Sequence, residues 1–150
     1  ARIYRVRNYL NNEPFMLTYG DGLSDINLDS LLAYHRSKNL TVTVTGVRPP
    51  ARFGELQVGS DGTATGFNEK PQASAGMISG GFFVCEPTVF THTNSREDLV
   101  FEQDPMQSLV SEKLLAVYQH DGFWQCMDTF RDWQLLNSMI DQEKAPWKVW

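Results

Sequence analysis

The stretch Phe15-Met-Leu-Thr-Tyr-Gly-Asp-Gly22 decides how the chain is read, because an apolar run breaks into Gly-Asp-Gly where a buried parallel strand would reach the edge of its sheet. Ligands of open α/β sheets bind there. A carboxylate at that edge can hold Mg²⁺ against a phosphate, since the ion takes one or two carboxylates together with substrate oxygens and water. Asp21 is the first candidate metal ligand on this ground. A plain turn is the competing reading, as Gly and Asp both tolerate left-handed backbone and favour turns.

The residues downstream extend the pattern. Leu28, Leu31, Leu32 and His35 recur at helical spacing, with Asn27 or Asp29 available as an N-terminal cap. Thr41 to Val47 alternates β-branched residues and reads as a second strand. Strand, helix, strand is a βαβ unit, which crosses over right-handedly to make a parallel pair. Phe53 to Val58 and Thr63 to Asn68 flank Ser60-Asp61-Gly62, a hairpin signal. Ile78 to Cys85 is another apolar strand and contains Gly80-Gly81. Glu102 to Leu115 reads as helix, with Met106, Leu109, Val110 and Leu114 on one face and Asp104-Pro105 suited to its start. Leu115 to Gln119 is a short strand, and Phe130 to Gln142 a final helix with Trp133, Leu136 and Ile140 inward and Asp132 and Gln134 outward. These elements predict one α/β domain over residues 1–150, with an antiparallel hairpin inserted.

Composition narrows the function. With 150 residues, 41% of them hydrophobic, the chain can bury a real core. A net charge of −5 argues against an extended nucleic-acid footprint, which needs clustered Lys and Arg. A small anionic substrate stays compatible, because a local cluster plus a metal outweighs the global sign. Arg48 and Arg52, around Pro49-Pro50, are one such cluster, a solvated loop being the alternative. Cys85 and Cys126 have neither CxxC spacing nor a nearby His pair, so they predict reduced thiols of a cytosolic protein rather than a zinc site or a disulfide. No apolar stretch approaches the ~20 residues that span a bilayer, and the N-terminus has no signal-peptide core. A cytoplasmic chain without a membrane partner is expected. It opens Ala1-Arg-Ile-Tyr-Arg-Val-Arg7, which reads like the middle of a longer protein.

Two further segments carry chemistry. Glu69-Lys70-Pro71 sets an acid and a base side by side before a proline that forces extended geometry on Lys70. Adjacent residues on an extended chain face opposite ways, so one can meet a phosphate while the other meets hydroxyls; a solvated loop end is the alternative. Asp128 precedes a helix beginning near Thr129, where a carboxylate normally serves as N-cap. The same position can present a second carboxylate to a metal.

Taken in order, these motifs resemble the glucose-1-phosphate cytidylyltransferases, a branch of the sugar-phosphate nucleotidyltransferases. The likeness rests on Leu17-Thr-Tyr-Gly-Asp-Gly22, Val47-Arg-Pro-Pro-Ala-Arg-Phe-Gly54, Phe67-Asn-Glu-Lys-Pro71, Gly80-Gly-Phe-Phe-Val84, Phe101-Glu-Gln-Asp-Pro105, His120-Asp-Gly-Phe-Trp-Gln-Cys-Met-Asp-Thr129 and Lys144-Ala-Pro-Trp-Lys-Val-Trp150. It covers nearly the whole chain. Asp-Gly, Glu-Lys-Pro and Gly-Gly belong to the wider superfamily, whereas Arg-Pro-Pro and the closing Ala-Pro-Trp-Lys point to the cytidylyl branch.

The resemblance implies a Rossmann-like α/β nucleotidyltransferase fold with a mixed, mostly parallel sheet. It also implies the reaction of CTP with α-D-glucose 1-phosphate to CDP-glucose and pyrophosphate, on the route to CDP-deoxysugars of surface polysaccharides such as O-antigen. The sugar phosphate's own oxygen attacks the α-phosphorus, so the protein's work is positioning and charge neutralisation. By position, Asp21 and Asp128 would ligate Mg²⁺, and Lys70 would meet the sugar's phosphate. Glu69 would meet the glucose hydroxyls, and Gly20 would let the nucleotide approach the backbone. Gly81 would do the same for the sugar ring, and Arg2 matches an arginine near the nucleotide phosphates. The complete enzyme is expected to be a homo-oligomer.

Two departures qualify the match. Ser79 stands where the family has Asn before the paired glycines, which changes the hydrogen bonds offered to a sugar. The family's opening glycine-rich loop, which cradles CTP and reads cytosine, has no counterpart in these 150 residues. The chain is therefore expected to be the C-terminal part of such an enzyme and inactive alone. Without upstream neighbours, the strand at Phe15 to Tyr19 would be an exposed apolar edge prone to association. A non-catalytic sugar-phosphate or nucleotide-sugar binding module is the alternative. An assembly domain using the aromatic tail Trp147-Lys-Val-Trp150 is a third reading.

Overall fold

Every residue of the strand β3, Val42–Val47, is buried, as its unbroken run of β-branched residues and one glycine requires of a strand covered on both faces. The computed structural model describes residues 2–49, 55–68 and 76–149. Around β3 lie β1 (Phe15–Thr18), β6 (Ile78–Cys85) and β7 (Leu115–His120), in the order β1-β6-β3-β7. β1 pairs antiparallel with β6, Phe15 facing Cys85 and Thr18 facing Phe82. The Glu86 N–H donates to the Thr41 carbonyl at 2.8 Å, setting the end of β6 beside the start of β3. The Val42 N–H donates to the Leu114 carbonyl at 3.1 Å, setting the starts of β3 and β7 side by side. β6 therefore runs against its neighbours, and the sheet is mixed.

The βαβ reading needs one correction. β1 and β3 are not a hydrogen-bonded pair, because β6 lies between them. Phe83, Val84 and Cys85 of β6 are all buried, so this strand has apolar surface for both faces of the sheet and suits an interior place.

The helix α2 (Leu28–Lys38) joins β1 to β3 in sequence. Of the two candidate caps, Asn27 is the one used, its side chain accepting the Ser30 N–H at 2.8 Å. Asn39 ends the helix in left-handed backbone with φ 51°. The helix buries Leu31 and His35, whereas Leu28 is exposed. His35 is a satisfied core residue: Nδ1 meets Thr43 Oγ1 at 2.8 Å and Nε2 meets Glu86 Oε1 at 3.2 Å.

The core joins Val42, Val44, Phe83, Cys85, Val89 and Leu109, with Phe15, Leu17, Tyr19, Phe101, Met106 and Leu114 packed on it. Burying a side chain such as Phe83 or Leu109 contributes about 1.5–3 kcal/mol. The helix α3 (Asp104–Ser111) is shorter than its sequence pattern predicts and turns Val110 outward. β1 is the outer strand of the order given, and beside it runs a 770 Å³ groove lined in part by Ile3, Val6, Phe15, Leu17 and Phe101.

Described residues of 2–20, 26–46 and 79–119 form one compact unit, and those of 21–25, 47–78 and 120–149 form another. The second unit holds the antiparallel ribbon of β2 (Gly22–Ser24) with β8 (Trp124–Cys126). It also holds the hairpin of β4 (Glu55–Val58) with β5 (Ala64–Asn68), and the helix α4 (Phe130–Asp141). The hairpin turn forms as its Ser-Asp-Gly sequence predicts. Gly59 N–H donates to the Thr63 carbonyl at 2.8 Å, Asp61 accepts the Thr63 N–H, and Gly62 has φ +82°. Among the described residues no helix is long and apolar enough to cross a membrane.

Candidate functional site

The ribbon brings the two candidate metal carboxylates to one place. Its register pairs Gly22 with Cys126, Leu23 with Gln125 and Ser24 with Trp124. The Met127 N–H donates to the Asp21 carbonyl at 2.8 Å, which carries the pairing one residue further. Asp21 thus lies opposite Met127, and Asp128 is the next residue on the facing strand. Both aspartates are exposed at this one end of the ribbon.

Asp128 is free for this because the helix behind it is capped by others. Thr129, not Asp128, is the N-cap of α4, and its hydroxyl accepts the Asp132 N–H at 3.2 Å. Asp132 answers by accepting the Thr129 N–H at 3.0 Å, closing a capping box. The other Asp132 oxygen accepts from Gln125 Nε2 at 3.1 Å, tying α4 to β8. Asp132 is thus partly buried and bonded rather than turned outward. Trp133 and Ile140 are about half exposed, and Leu136 is the residue of α4 that is buried.

The Cys126 thiol is held above its ordinary range, first by burial, then by its hydrogen bond to Asp128 and by the charges of Asp128 and Asp132. It stays a protonated donor toward Asp128 rather than a competing thiolate. Among the described residues no group of three or more His, Cys, Asp or Glu could hold a metal. Two carboxylates, completed by substrate oxygens and water, suit Mg²⁺ better than a metal that wants an all-protein cage.

The other expected site residues divide. Gly20, next to Asp21, has no neighbour among the described residues within 4 Å of where a Cβ would stand, so none of them requires glycine there. Gly81 differs: its φ is +77°, and a Cβ would come within 2.9 Å of the Tyr19 ring. The Tyr19 N–H donates to the Gly81 carbonyl at 3.0 Å. Close packing of β6 on Tyr19 thus gives this glycine a reason of its own. Ser79 is exposed, and its hydroxyl accepts the Gly81 N–H at 3.4 Å. Arg2 is exposed in the short helix α1 (Arg2–Val6) and lines the groove beside β1. Glu69 and Lys70 lie outside the described residues, as does Arg52. Arg48 is paired, Nη1 donating to Asp121 Oδ1 at 2.6 Å.

The opposite end of the ribbon holds a cluster that sequence reasoning missed. His120 Nε2 lies 2.8 Å from Asp25 Oδ1 and 3.3 Å from the Phe123 carbonyl. Ser24 Oγ donates to the same carbonyl at 2.6 Å. The one local signal for it is Gly122 within His120-Asp-Gly-Phe123, a glycine that a turn alone explains equally well. Phe123 stacks on Trp147 of the tail with centroids 5.2 Å apart.

A mixed sheet in one unit and a ribbon with two exposed carboxylates in the other are compatible with a nucleotidyl-transferring enzyme, and comparison with known proteins gives the class. The family described as Nucleotidyl transferase matches residues 2–141, and the chain belongs to it. A protein of Bacillus subtilis (strain 168) named probable glucose-1-phosphate cytidylyltransferase is 44% identical over 150 residues, all of this chain and 58% of its own length. The glucose-1-phosphate cytidylyltransferase of Salmonella typhimurium (strain LT2) is 38% identical over 151 residues, again covering all of this chain and 58% of its own. The chain thus spans somewhat over half the length of these relatives. A crystal structure of a Bacillus anthracis protein assigned as a glucose-1-phosphate thymidylyltransferase shares the fold with a TM-score of 0.67 at 16% identity, covering 91% of this chain and 58% of that one.

Proposed function

We propose that the chain is the metal- and sugar-phosphate-binding part of a glucose-1-phosphate cytidylyltransferase, joining CTP and α-D-glucose 1-phosphate into CDP-glucose with release of pyrophosphate. The observation that carries the reading is the meeting of Asp21 and Asp128 at one end of the β2–β8 ribbon. The likeness to relatives bearing that name supports the choice of nucleotide and sugar. Surface-polysaccharide precursors are the expected destination of the product, and the cytoplasm the expected place of reaction.

The residues present fit Mg²⁺. Asp21 and Asp128 would hold it, and when bound it supplies Lewis-acid charge and a template for phosphate oxygens. The chain's own contribution is positional. The Met127–Asp21 backbone bond fixes the two carboxylate-bearing strands against each other, and the capping box leaves Asp128 unengaged with helix backbone. Among the described residues nothing fills the space at Gly20, where a nucleotide could approach the backbone. Lys70 and Glu69 would supply the contacts to the sugar's phosphate and hydroxyls.

The test pairs binding with turnover. Mn²⁺ affinity, read by electron paramagnetic resonance, is expected to fall by about tenfold or more in Asp21→Asn and in Asp128→Asn but not in Asp141→Asn, an exposed carboxylate at the end of α4. Pyrophosphate release from CTP and glucose 1-phosphate is expected once the chain is joined to a glycine-rich nucleotide loop, and is expected to vanish in Asp21→Asn. Equal affinity in all three variants would end the metal assignment.

A further inference from the structure

The ribbon that carries the carboxylates is short and poorly packed. Each strand contributes three paired residues, and all three of β2 are only half-buried. Apolar burial does not fix its register, and a slip of one residue would carry Asp21 away from Met127 and turn each side chain to the other face. Something else must hold the strands in step.

We propose that His120, Asp25 and Gly122 form a clasp that holds the β2–β8 register and thereby positions Asp21 and Asp128, which makes His120 a positioning residue for the reaction. Three donors converge at the end of the ribbon away from the carboxylates. The Asp25 N–H reaches the Phe123 carbonyl at 3.3 Å and Ser24 Oγ reaches it at 2.6 Å. His120 Nε2 sits 3.3 Å from that carbonyl and 2.8 Å from Asp25 Oδ1, while the Met127 N–H closes the far end. The His120 side chain is 12% exposed and that of Asp25 33%, so their contact is partly withdrawn from water and stronger than an open surface pair.

Gly122 supplies the independent observation. A Cβ there would stand 2.5 Å from Asp25 Oδ1 and 2.6 and 2.8 Å from His120 Cε1 and Nε2. Its backbone is not among the positive-φ glycines of the chain. A side chain at 122 would therefore oblige the ends of Asp25 and His120 to shift from the positions in which they meet. The importance of the register for catalysis rests on the metal reading above; the register claim does not.

Amide hydrogen exchange on the whole chain tests the clasp, with Mn²⁺ binding measured alongside. In His120→Ala and in Gly122→Ala the Met127 amide, at the far end of the ribbon, is expected to exchange about tenfold faster, while Val42 and Glu86 in the four-stranded sheet keep wild-type protection. His120→Gln, whose amide nitrogen can reach the position of Nε2, is expected to restore Met127 protection, and Mn²⁺ affinity should follow the same order across the three variants. Unchanged Met127 exchange in both alanine variants overturns the clasp, as does loss of protection spread equally to Val42 and Glu86, or failure of the glutamine to restore it. Faster, rescuable Met127 exchange in a chain whose wild type binds no Mn²⁺ would support the clasp and remove the metal reading instead.

Discussion

The four-stranded sheet and the β2–β8 ribbon are held together by different physics. In the sheet, β3 is buried at every position and its neighbours bury Phe83, Val84 and Cys85, so apolar surface withdrawn from water sets the arrangement. In the ribbon no residue of β2 is fully buried, and hydrogen bonds from His120, Ser24, Gln125 and Thr129 hold the strands and the helix that follows. The sheet is a scaffold that tolerates little change of shape. The ribbon presents charge to solvent, and a polar frame lets it do so without burying the carboxylates it displays.

That contrast can be broken most directly in the sheet. Phe83→Ala removes a side chain that is 1% exposed and should cost about 3–5 kcal/mol, read from urea denaturation. A loss below about 1 kcal/mol would mean the core is not where the stability lies.

A pH series sharpens the same point. Burial first, and the Glu86 charge second, push the Cys85 thiol up to about 12, from an ordinary value of 9.0. Between those values the folded state keeps a proton that the unfolded chain has lost. Stability from this group is therefore full below about pH 9 and falls as pH rises toward 12, by up to ~1.4 kcal/mol per unit. Denaturation midpoints across the alkaline range should show that slope reduced in Cys85→Ala, and an identical slope would contradict the assignment.

The ribbon side predicts smaller losses. Asp132→Ala deletes half of the capping box and the Gln125 contact, and should cost about 1 kcal/mol in thermal melts. This makes Asp132 a poor neutral control for the metal site. Smallest of all, and opposite in sign, is Thr45→Val. Among the described residues the buried Thr45 hydroxyl has no hydrogen-bond partner, so removing it at constant shape should leave stability unchanged or raise it by up to about 1 kcal/mol. A clear destabilisation there would reveal a polar partner in what reads as an apolar scaffold.

Much of the scaffold was legible in the residues. β-branched alternation located β3, helical spacing located α2 with its buried Leu31 and His35, and Ser60-Asp-Gly62 located the hairpin turn. The position of β6 between β1 and β3 was not legible, because pairing between distant strands leaves no local periodicity. Of the candidate site, Asp21 announced itself by breaking an apolar run. Asp128 was legible as a carboxylate before a helix, but only the structure shows Thr129 and Asp132 taking the capping work from it. Outward-facing Trp133 and Val110 escaped the pattern because helical spacing identifies a stripe without saying how much of it a neighbour covers. Asp25 and His120 escaped it because two polar residues far apart in sequence carry no joint signal until the chain folds.

The pairing of Gly22 with Cys126 also sets a clock. A ribosome adding about 5–20 residues per second delivers β1, α2 and β3 well before it delivers β8. Closing so long a loop costs little more than closing a medium one, since the entropy grows only with the logarithm of length. Yet the closure cannot begin until residues 120–128 have left the exit tunnel. During synthesis Asp21 therefore waits on an unpaired strand, and the carboxylate pair comes into being only once β8 has followed.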